Sequence, residues 1–247
     1  MTDAPRPTAS SSSTDATRIW EESEADAWFH RNAETLARWS PDSDPLVRML
    51  GRYGLTARSV LEVGSSSGFR VAYMAEAFRQ NGSEQELEAD DFVGVDPSAA
   101  AVAEGTRRFP GIRMLKGVAH QLPVERMFQL VMVNYVLHWI PRTLLLASVS
   151  EIDRCLLDGG YLLLGDFLPA VPTRVDYHHL PDPVIHTWKQ DYGALFQATG
   201  IYRLLARLEL DHATNQPMAA IPPANRGAVW LLQKELREGY QESPPKR

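Results

Sequence analysis

Five short, continuous apolar runs constrain this chain more than any other feature: "SVLEVG", "DFVGVD", "IRMLKG", "FQLVMVN" and "YLLLGDF", starting at Ser59. A strand with one wet face alternates apolar and polar residues, whereas a run that is apolar throughout is buried on both faces, as in a parallel sheet covered by helices. The segments "FRVAYMAEAFRQ", "PSAAAVAEGTRRF" and "RTLLLASVSEIDRCLL" carry helical spacing and supply crossovers, and Asp158-Gly159-Gly160 reads as the C-cap and turn of the last. The pattern is that of a doubly wound α/β domain. Two later runs, "YRLLARLEL" and "GAVWLLQKEL", are separated by a Pro-rich stretch too short for a helical crossover, so they are expected to pair antiparallel at the sheet edge.

Upstream, "IWEESEADAWFHRNAETLARW" spaces Trp20, Trp28, Leu36 and Trp39 as an amphipathic helix or helix pair would. "DPLVRMLGRYG" follows as a helix with Asp44 at the N-cap and Pro45 at the first helical position. Residues 1–17, rich in Ser, Thr and Pro, are expected to be a disordered tail, and 237–247 a flexible one. Residues 18–236 then form one domain, with a helical cap over about 18–56 and a core over about 57–236.

A chain of 247 residues with 44% hydrophobic content can bury one α/β core. A net charge of -6 and scattered basic residues argue against a nucleic-acid partner. No run approaches the roughly 20 apolar residues that span a bilayer, and the N-terminus lacks a signal peptide's apolar core, so a cytoplasmic protein without a membrane partner is expected. The single cysteine, Cys155, reads as a small buried hydrophobe.

In doubly wound sheets ligands sit outside the carboxyl ends of the strands, and the turn after the first strand, "VLEVGSSSGFR", is the usual place. A dinucleotide fingerprint needs glycine at three offsets; Gly64 meets the first, but Ser66 and Phe69 occupy the others. The spacing acid-x-G-x-x-x-G is met instead by Glu62, Gly64 and Gly68. Here the chain resembles the class I S-adenosylmethionine-dependent methyltransferases, from about Ser59 to Lys234. The resemblance implies a Rossmann-like, mostly parallel seven-stranded sheet with an antiparallel edge pair, S-adenosyl-L-methionine as cofactor, and Glu62, Gly64, Ser65, Ser66 and Gly68 at its methionine part. Ser66 departs from the family's usual glycine, a change a small side chain tolerates. By the same resemblance Asp96, ending "FVGVD", binds the ribose diol. Ala119 and His120 take the adenine side, where Val118 stands in place of the family's acid, and Asn134 closes the pocket.

Methyl transfer needs an in-line approach, exclusion of water and, for a weakly acidic acceptor, a general base. The family commonly builds its acceptor site after the fifth strand, where this chain has Asp166, Tyr177, His178, His179, His186 and Tyr192. His178 or His179 is the candidate base, because an imidazole titrates near neutral pH. Asp166 is equally well a turn cap, and His138 and Trp139 face either the pocket or the next helix. The tryptophan stripe reads as core packing, with an acceptor-facing lid as its alternative, and Arg31 as a surface residue or a carboxylate partner. No metal site is expected, since no ligand spacing accompanies the histidine doublet. The resulting expectation is a methyltransferase acting on oxygen or nitrogen of a small molecule. Its alternatives are a cofactor-binding protein on the same fold without turnover, and a protein side-chain methyltransferase.

Overall fold

The computed structural model describes residues 16–80, 87–179, 185–217 and 220–236. Most of both tails and the insert residues 81–86 therefore lie outside the described residues. The N-terminal tail ends earlier than expected: Ala16 and Thr17 are helical, and Ala16 is buried against Tyr177 and Ile185.

A π-helical turn over Trp20–Glu24 leads into α1 (Ala25–Arg31) and α2 (Ala33–Ala37). α3 (Pro45–Tyr53) starts as the sequence predicts, the Asp44 carboxylate accepting from the amides of Leu46 and Val47. Then come β1 (Val60–Val63), α4 (Phe69–Gln80), β2 (Phe92–Asp96), α5 (Ala99–Arg108), β3 (Arg113–Lys116), β4 (Phe128–Asn134), α6 (Leu145–Arg154) and β5 (Leu156–Phe167). A two-stranded ribbon, β6 (Thr173–Asp176) with β7 (His186–Lys189), precedes α7 (Gly193–Gln197), β8 (Tyr202–Asp211) and β9 (Arg226–Lys234).

The main sheet has the order β3-β2-β1-β4-β5-β9-β8, the first five strands parallel and β9 antiparallel to both its neighbours. Alternate residues of the buried strands feed two cores. Leu61, Val63, Val131, Val133, Leu162 and Leu164 pack with α6 and α7, and Val60, Leu130, Met132 and Leu163 with α3 and α4. This double burial is why the strands read as continuous apolar runs. Because β9 runs against both β5 and β8, β8 is parallel to β5, and its carboxyl end emerges on the same edge as those of β1, β2 and β4.

Asp158-Gly159-Gly160 is not a helix C-cap. α6 ends at Arg154, Cys155 closes it with its amide on the Glu151 carbonyl, and the chain enters the sheet at Leu156. The Asp-Gly-Gly segment falls inside β5, where the register against β4 shifts between Phe128 and Leu130 and Gly159 takes φ +78°. The glycine signal belongs to a bulge, which also needs positive φ. Cys155 is fully buried, and burial pushes its thiol up to about 11. Among the described residues no helix is long and apolar enough to cross a membrane.

Candidate active site

The chain leaves β1 through a turn that puts Gly64, Ser66 and Gly68 at φ +70°, +51° and +75°. Ser66 thus holds the left-handed conformation for which glycine is normally used, at a cost of about 1 kcal/mol. The turn is pinned to β2: the amides of Gly64 and Ser65 donate to the Val95 carbonyl at 2.8 and 3.1 Å, and the Ser66 amide donates to Asp96 Oδ2 at 2.7 Å. A Cβ at Gly64 would overlap Val136, and one at Gly68 would sit 2.6 Å from Met114 Sδ. Gly68 therefore serves the packing of α4 against β3 and is absent from the cavity lining.

Asp96 ends β2 with both carboxylate oxygens held by backbone amides, the second from Ser98 at 2.9 Å. Burial pushes it up to about 6 against the pull of these two amides, and nearby Asp26 adds to the rise. Each oxygen keeps a lone pair, so the group can accept two parallel bonds from a diol.

Glu62 does not face the cavity. Its carboxylate meets Arg70 Nη1, and Arg70 Nε donates at 2.8 Å to Asp44 Oδ2, which also accepts from Trp39 Nε1 at 2.7 Å. Complete burial pushes Glu62 up to about 7, the Arg70 guanidinium offsetting only part of that rise. Asp44 and Arg70 line the cavity, so the acid in the first strand is linked to it only through its arginine partner. Sequence spacing gives no hint of this triad, because Asp44 and Arg70 stand 26 positions apart.

A cavity of about 1020 Å³ opens above the carboxyl ends of the strands. Gly64, Ser65, Ser66, Asp96, Ala119, His120 and Asn134 line it, beside Val118. Ser66 Oγ and Asn134 Oδ1 are buried without a hydrogen-bond partner among the described residues. Buried polar atoms are almost always paired, so these two fit a site that a polar ligand completes. Trp20, Trp28, Trp39, Trp139 and Trp188, five of the chain's 6 tryptophans, are half-buried along the same cavity. The N-terminal stripe is thus a wall of the cavity rather than core packing.

His178 and His179 are exposed and pack against each other with tilted rings at 4.0 Å between centroids, outside the cavity lining among the described residues. The structure does not bring them to the enclosed space that methyl transfer needs. Arg31 bonds the Glu24 carboxylate and donates to Tyr177 Oη at 2.6 Å, while Tyr177 Oη donates to Glu24 Oε1 at 2.5 Å. This cluster ties the N-terminal helices to the segment after β6. A second tie runs from Asp26, which accepts from Ser98 Oγ at 2.6 Å and the Ala100 amide at 3.0 Å.

The strand order divides the cavity. Gly64–Ser66, Asp96 and Gly117–His120 stand over β1, β2 and β3, and the remaining wall over β4, β5 and β8 holds Tyr135, Trp139, Arg142, His186, Trp188 and His212. Behind this wall His138 Nδ1 pairs with the buried Asp166 carboxylate at 3.0 Å, which also takes the amides of His138 and Phe167. Asp166 therefore braces the loop after β4. Tyr192 is buried and does not line the cavity.

Residues 60–160 match the family model described as a methyltransferase domain. The fold is similar to the 1,6-didemethyltoxoflavin N1-methyltransferase of Burkholderia thailandensis, solved with 1,6-didemethyltoxoflavin and S-adenosylhomocysteine. Identity is 14% and the TM-score 0.66 over 95% of this chain and 93% of that one. It is also similar to the N-methyltransferase NodS of Bradyrhizobium japonicum with S-adenosylhomocysteine, at 15% identity and TM-score 0.54 over 90% and 98%. A third likeness is to DhpI bound to S-adenosylhomocysteine, at 15% identity and TM-score 0.57 over 88% and 98%. Comparison with curated proteins gives no match.

Proposed function

We propose that this chain, a class I S-adenosylmethionine-dependent methyltransferase, methylates a nitrogen or oxygen atom of a small molecule. The observation that carries the reading is the continuous cavity of about 1020 Å³, which joins a polar half at the glycine turn to an aromatic half over β4, β5 and β8. Its volume stands at the top of the range for one drug-sized ligand, so it suits two molecules side by side. S-adenosyl-L-methionine supplies an electrophilic methyl group when bound.

In this reading Asp96 accepts the ribose hydroxyls, and the Gly64–Ser66 turn, Asn134 and the Asp44–Arg70 pair hold the methionine part. Ala119 and His120 border the adenine. The tryptophan walls exclude water and present flat apolar faces to the acceptor. The small-molecule ligand in the Burkholderia thailandensis structure supports the same size of acceptor. A single buried cysteine fits a cytoplasmic setting.

The test is transfer of label from S-adenosyl-[methyl-14C]methionine in a cell extract, split by size. Label in the low-mass fraction, matched by S-adenosylhomocysteine release, is the expected result. Label confined to macromolecules would support a protein acceptor, and cofactor binding without release in any fraction would support a protein that does not turn over.

A further inference from the structure

We propose that His212 is the proton acceptor of the methyl-transfer step. The assignment rests on the methyltransferase reading above, but its geometry comes from a part of the chain that the sequence motifs do not touch. β8 is parallel to β5, so His212, the first residue after β8, emerges at the edge where Asn134 and Asp166 also stand. That places it on the aromatic half of the cavity, away from the glycine turn and Asp96, and it contributes to the cavity wall.

The ring is held without being used up. One side packs on Tyr135 at 4.6 Å and on Phe167 at 4.7 Å between centroids, while the side chain remains exposed. Its amide donates to the Asn225 carbonyl at 2.8 Å, and the Asp211 carboxylate takes the amides of Ala213 and Thr214, which fixes the turn. Neither ring nitrogen has a hydrogen-bond partner among the described residues. Tyr135, whose ring packs on it, sits at φ +55°, a conformation rare for a bulky residue.

The surrounding charges favour the neutral ring. Partial burial, then His138 and Lys189, lower its basicity, and Asp166 and Asp211 oppose them more weakly. Tyr135, held above its ordinary value first by burial and then by Asp166 and Asp211, stays protonated. An unprotonated imidazole open to the acceptor is what a general base requires at neutral pH. In the step, the acceptor's lone pair forms the new bond to the methyl carbon and the carbon–sulfur electron pair returns to sulfur. The acceptor's proton passes to a ring nitrogen of His212 and thence to solvent.

The test begins without any acceptor. The wild-type protein, labelled at histidine ring carbons, is titrated by NMR with saturating S-adenosylmethionine and separately with saturating S-adenosylhomocysteine, His212→Gln assigning the resonance. The two ligands differ in the sulfonium charge and methyl group. His212 beside the transferred methyl should show an apparent pKa about 1 lower with S-adenosylmethionine, the effect of a unit charge within about 10 Å at an effective dielectric constant of about 20. Exposed His178 should not distinguish the ligands. Equal His212 titration in both complexes overturns the proposal and leaves the methyltransferase reading standing. Failure of both ligands to bind overturns that reading and the proposal with it. With the extract fraction that supports transfer, His212→Gln should lower kcat by about 10²- to 10⁴-fold and remove its rise with pH. The KM for S-adenosylmethionine should not change. Unaltered kcat, or a tenfold loss of cofactor affinity, contradicts the assignment.

Discussion

Replacing Asp96 by Asn should make the cofactor-free protein more stable at pH 8 and the cofactor complex weaker. The Asp96 carboxyl rises from 3.8 to about 6 because desolvation at its half-buried site outweighs the pull of its two backbone amides, and among the described residues no cation compensates it. That rise corresponds to about 3 kcal/mol. The folded-state value lies above the unfolded one, so the contribution favours folding below pH 3.8 and is lost as pH rises through about 6. Asn carries no charge, but only its oxygen accepts, so one of the two amides faces an NH₂ group at a cost of about 1–2 kcal/mol. The net gain at pH 8 is therefore about 1–2 kcal/mol, or about 3–6 °C in Tm for a chain of this size. At pH 5, below the folded-state value, the ionisation cost has fallen to roughly half, and variant and wild type should come out level. Losing a charge-assisted diol contact should weaken S-adenosylmethionine binding by about 1.5–3 kcal/mol, roughly 10- to 150-fold. Thermal melts of the cofactor-free proteins at both pH values, with calorimetric titration at pH 8, measure all three quantities. An Asn variant less stable than wild type at pH 8, or one with wild-type affinity, would refute the reasoning.

Three further outcomes follow from the same geometry. Ser66→Gly should relieve the left-handed strain and stabilise the protein by about 1 kcal/mol in urea unfolding, with cofactor affinity kept within about threefold; a large loss of affinity would make the Ser66 hydroxyl a ligand. Arg70→Met strands two buried carboxylates and should cost about 3–5 kcal/mol, part of it recovered when Glu62→Gln is added; a cost under about 1 kcal/mol would mean that the triad is not a structural unit. Tyr177→Phe breaks the tie to Glu24 and Arg31 and should speed amide exchange over residues 20–31 with little change in global Tm, whereas unchanged exchange would show that this tie does not hold the helices down.

The parts of the fold that repeat locally were the parts legible in the sequence. Double burial writes continuous apolar runs, so β1, β2, β4 and β5 could be read, as could the Asp44 cap and the antiparallel β8–β9 pair; β3, the edge strand, reads as another such run but has exposed Arg113 and Lys116 at its ends. The Gly64–Ser66 turn was legible from the acid-x-G-x-x-x-G spacing, and Asp96 from the resemblance to a family that carries an acid at the end of its second strand. Gly159 misled because a bulge and a helix C-cap both ask for positive φ. The Glu62–Arg70–Asp44 triad and the His212–Tyr135 contact depend on which elements become neighbours, and no local pattern records that. The histidine doublet drew attention for its chemistry, but position in the fold rather than residue type decides whether an imidazole meets the cavity: His178, His179 and His212 are all exposed, and of these His212 alone stands in the cavity wall. The same holds for the tryptophans, whose spacing marks a covered helix face without telling a core from a cavity wall.

The most direct test of the account is equilibrium binding of S-adenosylmethionine to the wild-type chain, followed by tryptophan fluorescence and calorimetry. Five tryptophans along the cavity should report the ligand, so saturable binding is expected with a dissociation constant between about 1 μM and 1 mM, competed by S-adenosylhomocysteine. No fluorescence change and no heat up to millimolar cofactor would contradict the central claim that this cavity holds S-adenosylmethionine.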